Sequence, residues 1–293
     1  MIRTQREMDA VRKATHGLEA DAQAKVIEIV DRVGVDDYMA LRDALMAEVM
    51  PVMELASQLA AELGASIYNA WRFIDLGETT ETQIVYTFTP DKGEAAINTA
   101  TKRAKDGRGL DDVVAVVMSR ISYDITASYG KTLFACGRKD TKKPRYARVP
   151  GRSEHYADGC PFCRMLASRG FVYYSEKSAG GPDHYHADCT CEVVCSWDKS
   201  PKAQNYDPSE FRNEYYNSME TKEQKEYVPT GRDYANVELE SGIESVMGKS
   251  GEYWQQAAAR ARENNRERYL EEQREAYRVR RLESGNTYTP RQR

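Results

Sequence analysis

The sequence Cys160-Pro161-Phe162-Cys163, followed after 22 intervening residues by His186-Ala187-Asp188-Cys189-Thr190-Cys191, decides the fold in the middle of this chain. A Cys-x-x-Cys turn places two thiolates on one side of a knuckle, and a His-x-x-Cys pair can complete a tetrahedron from the other side. Thiolate and imidazole ligands together suit zinc, and four protein ligands leave no position open for water. The pattern therefore predicts a structural zinc site that folds a small, loop-rich module.

The preferred zinc ligands are Cys160, Cys163, His186 and Cys189. Cys191 is an alternative to Cys189, because residues two apart on a strand point to the same face, and His184 is an alternative to His186 for the same reason. A group of thiols without a metal is the plainer interpretation. A redox Cys-x-x-Cys site is disfavoured because no thioredoxin-like βαβ pattern surrounds it.

Composition and the first residues predict the compartment. The chain has 293 residues, 30% of them charged, and a net charge of −4, so it shows no global bias toward nucleic acid. No apolar run follows Met1, and no stretch approaches the ~20 apolar residues of a membrane span. We therefore expect a reducing, cytosolic environment, where clustered cysteines more often bind metals than form disulfides. Cys136 and Cys195 lack partners at ligand spacing and are predicted to be small apolar residues.

The N-terminal region, residues 1–130, is predicted to be helical. Gly34 ends a first apolar run, and Pro51 suits the first turn of a later helix. Residues 110–129 are apolar enough for a helix that is buried on more than one side. One stripe recurs every four residues and predicts the packing of helix against helix; it consists of Leu55, Leu59, Leu63 and Ile67.

A basic stretch lies directly before the first predicted metal ligand. Residues 131–152 contain eight basic residues and one acidic residue, Asp140. Two prolines and a glycine predict that this stretch is not helical, and alternation over residues 145–149 predicts a short strand. The stretch can contact a nucleic-acid backbone, whereas the plainer interpretation is a solvated loop. The residues predicted to contact nucleic acid are Arg138, Lys139, Lys142, Lys143, Arg145 and Arg148.

The remaining segments complete the predicted fold. Strands are predicted at residues 171–174 and 192–194, and a helix is predicted to begin at Asp207-Pro208-Ser209-Glu210. A segment rich in Arg, Glu and Ala, residues 252–282, is predicted to be a solvated helix that docks through a narrow face; that face contains Trp254, Ala258, Tyr269 and Tyr277.

The fold class predicted for the whole chain is α+β and mainly helical. It comprises a helical region (1–130), the basic stretch with a small zinc-stapled α+β module (131–200), and a polar helical C-terminal extension (201–293).

The sequence offers little support for catalysis. Gly130-Lys131-Thr132 and Gly248-Lys249-Ser250 resemble the end of a phosphate-binding loop, but Ile125 and Ile243 stand where that motif requires glycine. Neither His-Glu-x-x-His nor Gly-x-Ser-x-Gly occurs, and no two carboxylates stand out as an acid/base pair. We therefore predict that the protein is not an enzyme and that structural zinc is its cofactor.

The region around the Cys/His pattern resembles the MuF-like minor head (minor capsid) proteins of tailed bacteriophages, and more closely the branch common in phages of actinobacteria. The resemblance is specific over residues of about 130–215. Cys195 departs from the pattern, because relatives tend to have Pro or another apolar residue there, and this leaves open whether Cys195 competes as a ligand. The residues that carry the resemblance are Ala147–Pro150, Cys160–Gly170, Tyr173, His184–His186, Cys189–Cys191, Val193-Val194 and Tyr206–Pro208.

The resemblance implies a structural protein that is incorporated in few copies during head assembly. It implies the portal and major capsid proteins as partners, with packaged DNA as a further partner bound without sequence specificity, and no membrane or small-molecule substrate. The implied location is the head interior near the portal, after assembly in the host cytoplasm. The signature of that family, Cys-x-x-Cys and His-x-x-Cys-x-Cys, corresponds here to the predicted zinc ligands. The alternative is a zinc-containing nucleic-acid-binding protein that contacts DNA through residues 131–152.

Overall fold

The computed structural model describes residues 2–150, 161–179 and 191–217 of the chain. These ranges are mainly helical with a few short strands, as predicted. A π-helical turn, Leu45–Val49, joins the second helix to the third. The helices are α1 (Gln5–Val33), α2 (Tyr38–Ala44), α3 (Met50–Leu76), α4 (Pro90–Lys105), α5 (Leu110–Lys139), α6 (Pro161–Ala167) and α7 (Pro208–Asn217), and the strands are β1 (Ile2–Arg3), β2 (Arg145–Val149), β3 (Glu192–Ser196) and β4 (Lys202–Ala203).

The ends of the helices follow local sequence signals. Thr4 and Glu7 form a capping box at the start of α1, and this helix ends at Gly34, whose positive φ of 77° favours glycine. Asp37 caps α2 by accepting hydrogen bonds from two backbone amides. Pro51 lies in the first turn of α3. The predictions for Gly34 and Pro51 are confirmed.

Helix α5 is the centre of the helical part, where it packs against α1, α3 and α4. Its residues are buried on several sides, as predicted for residues 110–129. The helix continues to Lys139, however, so the predicted boundary after residue 130 falls inside it, and the prediction of a non-helical stretch is wrong for residues 131–139. The helix-breaking Pro144 lies five residues beyond the end of α5, which is too far away to shorten it.

Many of the buried residues of α3 are small. A Cβ on Gly64 would lie 2.8 Å from the carbonyl oxygen of Tyr129, so the absence of a side chain allows the two helices to approach closely. The predicted leucine stripe lies elsewhere on α3. Leu55 is 54% exposed and Leu59 is 38% exposed, so among the described residues the prediction that these two pack against another helix is wrong. Leu63 and Ile67 are half-buried against the second core described below.

An extended segment, residues 79–89, lies along α3 and α5. Its backbone amides at Gln83, Val85 and Thr87 donate hydrogen bonds to Cys136 Sγ, Thr132 Oγ1 and Ser128 Oγ, over 3.3, 3.0 and 3.0 Å. Four residues of a helix rise about 6 Å, and two residues of an extended chain rise about 6.6 Å. Because these repeats nearly match, every second amide from Gln83 to Thr87 donates to a side chain of α5.

Two small sheets join distant parts of the chain. Strands β2 and β3 are antiparallel, with Val149 opposite Glu192, and the strands predicted at 145–149 and 192–194 are thereby confirmed. Strands β1 and β4 are parallel, so the N-terminus pairs with residues 202–203. The strand predicted at 171–174 is reduced to a single bridge between Tyr173 and Tyr146. Helix α7 begins at Pro208, as the sequence predicts.

The described residues form two hydrophobic cores. One lies among α1 to α5, and the other joins the ends of α1, α3 and α5 to β2, β3, α6 and residues near Tyr206. Cys136 and Cys195 are both buried in the second core, as predicted for small apolar residues. Burial raises the pKa of both thiols.

By length and composition, the helical run Tyr38–Leu76 is apolar enough to cross a membrane, which differs from the prediction that no stretch approaches this limit. A core helix passes the same criterion, and α3 packs against both α5 and α1. Only 39% of the apolar window is buried within the structure, so much of this helix remains uncovered.

Gly137→Ala is expected to destabilise the protein by about 1–3 kcal/mol, because a Cβ there would lie 1.8 Å from the hydroxyl of Tyr146. That hydroxyl donates to the carbonyl of Leu133, and the bond would be displaced. Gly17→Ala is the matched control: Gly17 lies inside α1 with no atom near the position of a Cβ, so the substitution should stabilise by about 0.5–1 kcal/mol. Urea unfolding measures both effects, and equal effects would contradict the packing argument.

Candidate functional site

The described residues frame the predicted zinc module but contain few of its ligands. Cys160, His184, His186 and Cys189 lie outside the described residues. The main chain of Cys163 lies in α6, whereas its side chain is outside the description. Cys191, the alternative ligand, comes directly before β3 and is buried in the second core. The segment between β2 and β3 contains the predicted zinc ligands. Because β2 and β3 pair, the sheet fixes where this segment begins, near residue 150, and where it ends, near residue 191.

Helix α6, which contains Cys163, is held at its C-terminal end by two tyrosines. The hydroxyl of Tyr173 donates to the carbonyl of Leu166 over 2.7 Å, and the hydroxyl of Tyr206 donates to the carbonyl of Ala167. Both carbonyls belong to the last turn of the helix, where they lack a partner within the helix itself. Because Tyr173 also pairs with β2, the position of α6 is fixed relative to the sheet.

The donor types in the sequence fit zinc, since thiolates and neutral imidazoles are its usual ligands. Within residues 2–150, 161–179 and 191–217, no three His, Cys, Asp or Glu residues are grouped so that they could hold a metal ion. The predicted ligand set, including the choice between Cys189 and Cys191 and between His184 and His186, therefore stays a prediction.

Purified protein is expected to contain about one zinc per chain, and chelation is expected to unfold the region after residue 151, because a structural metal contributes folding free energy directly. Cys160→Ser should abolish most of the zinc content. Cys136→Ala is the control and should keep it, since Cys136 is buried beside the backbone of Gln83. Elemental analysis and thermal unfolding provide the measurements. Metal-free protein with an unchanged melting curve would contradict the prediction.

Several basic side chains of residues 131–152 donate hydrogen bonds to backbone carbonyls of neighbouring segments. Lys143 Nζ donates to the carbonyl of Arg138 over 2.7 Å at the end of α5, and a guanidinium nitrogen of Arg145 donates to the carbonyls of Asp198 and Lys199. Such contacts place cations beside partially negative carbonyl groups. They leave fewer donors for a phosphate backbone.

The other predicted DNA contacts differ in exposure. Arg148 is only 1% exposed, and its guanidinium donates to the carbonyl of Ala179, so it does not belong to the surface on which this stretch could meet DNA. Lys142 Nζ lies 2.7 Å from Glu78 Oε1, in an exposed ion pair. Arg138 and Lys139 are exposed at the end of α5. DNA binding by the remaining cations stays a prediction.

Asp140, the one acidic residue of the basic stretch, is the centre of a buried hydrogen-bond network. Its Oδ2 accepts hydrogen bonds from Tyr68 Oη and Arg72 Nε, both over 2.9 Å, and from Trp197 Nε1 over 3.2 Å. Its Oδ1 accepts from the backbone amide of Lys142. Burial alone would raise the pKa of this carboxyl, but the hydrogen bonds from Arg72, Lys142 and Tyr68 outweigh burial and lower the pKa. Asp140 thus joins α3, the end of α5 and the residue after β3.

A second buried carboxylate ties the N-terminus to the same region. Asp75 Oδ2 accepts hydrogen bonds from Arg3 Nη2 over 2.6 Å, from Ser196 Oγ over 2.7 Å and from the amide of Trp197 over 2.9 Å. Arg3 also donates to the carbonyl of Cys195, and its guanidinium lies 5.3 Å from the centre of a ring of Trp71. Strand β1 therefore contributes a buried ion pair as well as backbone pairing.

Sequence reasoning did not identify Asp140, Asp75 or Arg3, because each is an isolated charge without a motif. Their arrangement favours a structural role. Asp140 and Oδ2 of Asp75 accept several hydrogen bonds each, and both side chains are enclosed by helices and β3. These contacts fix the small sheet, and with it the frame of the Cys/His module, against the helical part.

The comparisons with known proteins place this chain in a family. The model of a family described as VG15 protein matches residues 2–218, a range that includes the helical part, the whole Cys/His pattern and α7. No match was found among curated proteins or among solved structures. Since the matched range covers most of the chain, the protein belongs to the VG15 family of phage proteins.

Proposed function

We propose that this protein is a minor capsid protein that acts in phage head morphogenesis, associated with the portal and the capsid interior while the head assembles and DNA is packaged. The observation that carries the proposal is the match to a phage family over residues 2–218. The Cys/His pattern within that range also resembles the signature of MuF-like minor head proteins. The proposal includes a non-enzymatic role for the protein and its location in the virion.

The described structure supports a role in assembly. Its buried charges are used in hydrogen bonds that hold elements together, as Asp140 does. The zinc site, in this proposal, stabilises the module and takes no part in a reaction.

A pull-down with the portal protein of the same phage tests the proposal. The full-length chain is expected to co-purify with tagged portal from cells that express both, and a portal from an unrelated tailed phage is the control. Mass spectrometry of purified virions should detect the chain, and an asymmetric reconstruction should locate it beside the portal inside the head. Absence of the chain from virions would contradict the proposal.

The alternative function, DNA binding through the basic stretch, has the exposed pair Arg138 and Lys139 in its favour. It predicts that affinity falls steeply with salt without sequence preference. Replacing both residues by Gln should reduce the slope of log K against log salt by about 2, because each phosphate contact contributes about 0.9. Arg6→Gln with Lys13→Gln, two exposed cations of α1, is the matched control. Retention on DNA that does not depend on salt, or no retention, would exclude this alternative.

A further inference from the structure

Exposed apolar side chains are concentrated on one part of the molecule. Within the described ranges nine large hydrophobic side chains are exposed, and six of them belong to α3 or to the extended segment 79–89. We call these six residues the apolar stripe: Leu55, Leu59, Phe73, Ile74, Ile84 and Tyr86.

Four members of the apolar stripe belong to α3, and three of these four share one side of that helix. Leu59 follows Leu55 by one helical turn, and Phe73 follows Leu55 by about five full turns, so these side chains leave α3 in similar directions. The extended segment places its two members along the same length of the helix. Its Thr87 amide donates to Ser57 Oγ, and its Thr80 amide donates to Asn69 Oδ1, so Ile84 and Tyr86 lie between these two levels.

The apolar stripe lies in the most acidic part of the described chain. Residues 43–91 contain eight acidic residues and one basic residue, Arg72, which is buried. Glu62 follows Leu59 by three positions and is exposed on the same side of α3, and Glu81 is exposed in the extended segment. Among the described residues, neither Glu62 nor Glu81 forms an ion pair. A partner for this surface should therefore combine apolar side chains with cations.

The size of the apolar stripe favours a single helix or peptide over a second copy of the protein. Its side chains are 38% to 58% exposed. Together they present an apolar area on the order of 300–600 Å², as the largest patches on monomers do, whereas a stable dimer buries about 800 Å² per partner. An amphipathic helix laid along α3 needs only such a row of contacts.

We infer that the apolar stripe is the docking site for the C-terminal segment of the same chain, residues 252–293. The sequence of this segment has the required chemistry. Its predicted helical face contains Trp254, Ala258, Tyr269 and Tyr277, and residues 274–293 contain six arginines and two glutamates. The apolar face covers the leucines of the stripe, and the arginines lie beside the acidic residues at its edge. This inference does not depend on the proposed role in head assembly.

The length of the chain permits this contact. The described structure ends with α7 at Asn217, and 34 residues separate it from residue 252. A random coil of that length spans about 30–35 Å, close to the ~40 Å length of a 27-residue helix such as α3. A tethered segment reaches an effective concentration on the order of millimolar, which gives it an advantage over a separate partner of similar affinity.

Photo-crosslinking in the full-length protein tests the inference. Leu59→p-benzoylphenylalanine places the reactive group in the apolar stripe, and the same substitution at Glu28, an exposed residue of α1, is the control. We expect crosslinks from position 59 to peptides within residues 252–293, with a yield that does not change over a hundredfold range of protein concentration. Position 28 should give none. Mass spectrometry identifies the linked peptides.

Exchanging the charges of the two surfaces tests whether the crosslinks arise from specific docking or from chance proximity. Replacing Arg278, Arg280 and Arg281 by Glu should lower the crosslinking yield at least fivefold, and adding Glu62→Arg with Glu81→Arg should restore much of it. Circular dichroism verifies that the exposed substitutions leave the fold intact. Three results would overturn the inference: crosslinks that join two copies and increase with concentration, crosslinks only to other proteins, and a yield unaffected by the arginine substitutions.

Discussion

Asp140→Asn is expected to lower the free energy of unfolding by about 3–5 kcal/mol, because it leaves the buried guanidinium of Arg72 without its main counter-charge. An amide nitrogen would also face donors from Tyr68 and Trp197 that now meet a carboxylate oxygen. The loss is measured by urea unfolding of the full-length protein.

Glu78→Gln is the matched control for Asp140→Asn. Glu78 pairs with the same guanidinium, over 3.2 Å, but its side chain is 49% exposed, so water compensates for most of the loss. We expect a much smaller loss of stability than for Asp140→Asn, because exposed ion pairs contribute little. Similar losses for the two variants would show that burial of the Asp140 pair contributes little.

The pH dependence of stability provides a second measurement on Asp140. Its native pKa is lowered, so its stabilising contribution is present above the pKa of the unfolded chain, about 3.9, and is lost as pH falls through the lower native value. The wild type should therefore lose more stability than Asp140→Asn between pH 5 and the acid limit. Parallel curves would contradict the assignment.

Arg3→Met is expected to destabilise the protein by about 3–5 kcal/mol, although it lies within three residues of the start of the sequence. The substitution keeps an apolar stem but removes the charge that pairs with Asp75, a carboxylate whose buried Oδ1 has no hydrogen-bond partner among the described residues. The carbonyl of Cys195 also loses a donor. Denaturant unfolding measures the loss, and Arg6→Met, at an exposed position of α1, should change stability by less than about 0.5 kcal/mol.

A double-mutant cycle isolates the Arg3–Asp75 pair. Asp75→Asn should be strongly destabilising alone, and combining it with Arg3→Met should cost less than the sum of the two single effects, because neither variant then leaves a buried charge unpaired. Additive losses would indicate that Arg3 acts through packing on Trp71 instead.

The sequence predicted those elements whose signals are local. Gly34, Pro51 and Pro208 mark helix ends because a backbone conformation or a missing amide acts within one turn. Alternation identified β2 and β3. It failed at residues 171–174, where only Tyr173 finds a partner, since strand pairing depends on a distant segment that the local pattern does not contain.

The stripe that contains Leu55 and Leu59 shows why periodicity alone does not locate the core. Helix α3 has two apolar sides, and α5 covers the side with small residues, where Gly64 allows close contact. Periodicity detects an apolar side but does not show what covers it. A row of Ala and Gly between larger residues was the signal for the packed side. The ligands of the Cys/His site are predicted from the sequence alone, because most of those residues lie outside the described ranges.

Arg148 and Asp140 show that the burial of charged residues, too, cannot be predicted from the local sequence. Both lie in a stretch whose composition indicates a surface, yet both are buried. Composition averages over a segment, whereas burial depends on the partner of each side chain, here the carbonyl of Ala179 and the guanidinium of Arg72.

The pairing of β1 with β4 imposes an order on biosynthesis. Residues 2–5 leave the ribosome well before their partners, which lie about 190 residues downstream, since Arg3 needs the carbonyl of Cys195 and Gln5 bonds with Gln204. At 5–20 residues per second this wait lasts roughly 10–40 s. During that interval α1 and α3 can fold together, but strands β3 and β4, against which the ends of these helices pack, have not yet been made. Completion of the fold therefore requires that translation has passed the Cys/His region, and a chain truncated before residue 195 would keep the Arg3–Asp75 pair but lack the carbonyl of Cys195 and the hydroxyl of Ser196 that bond to it.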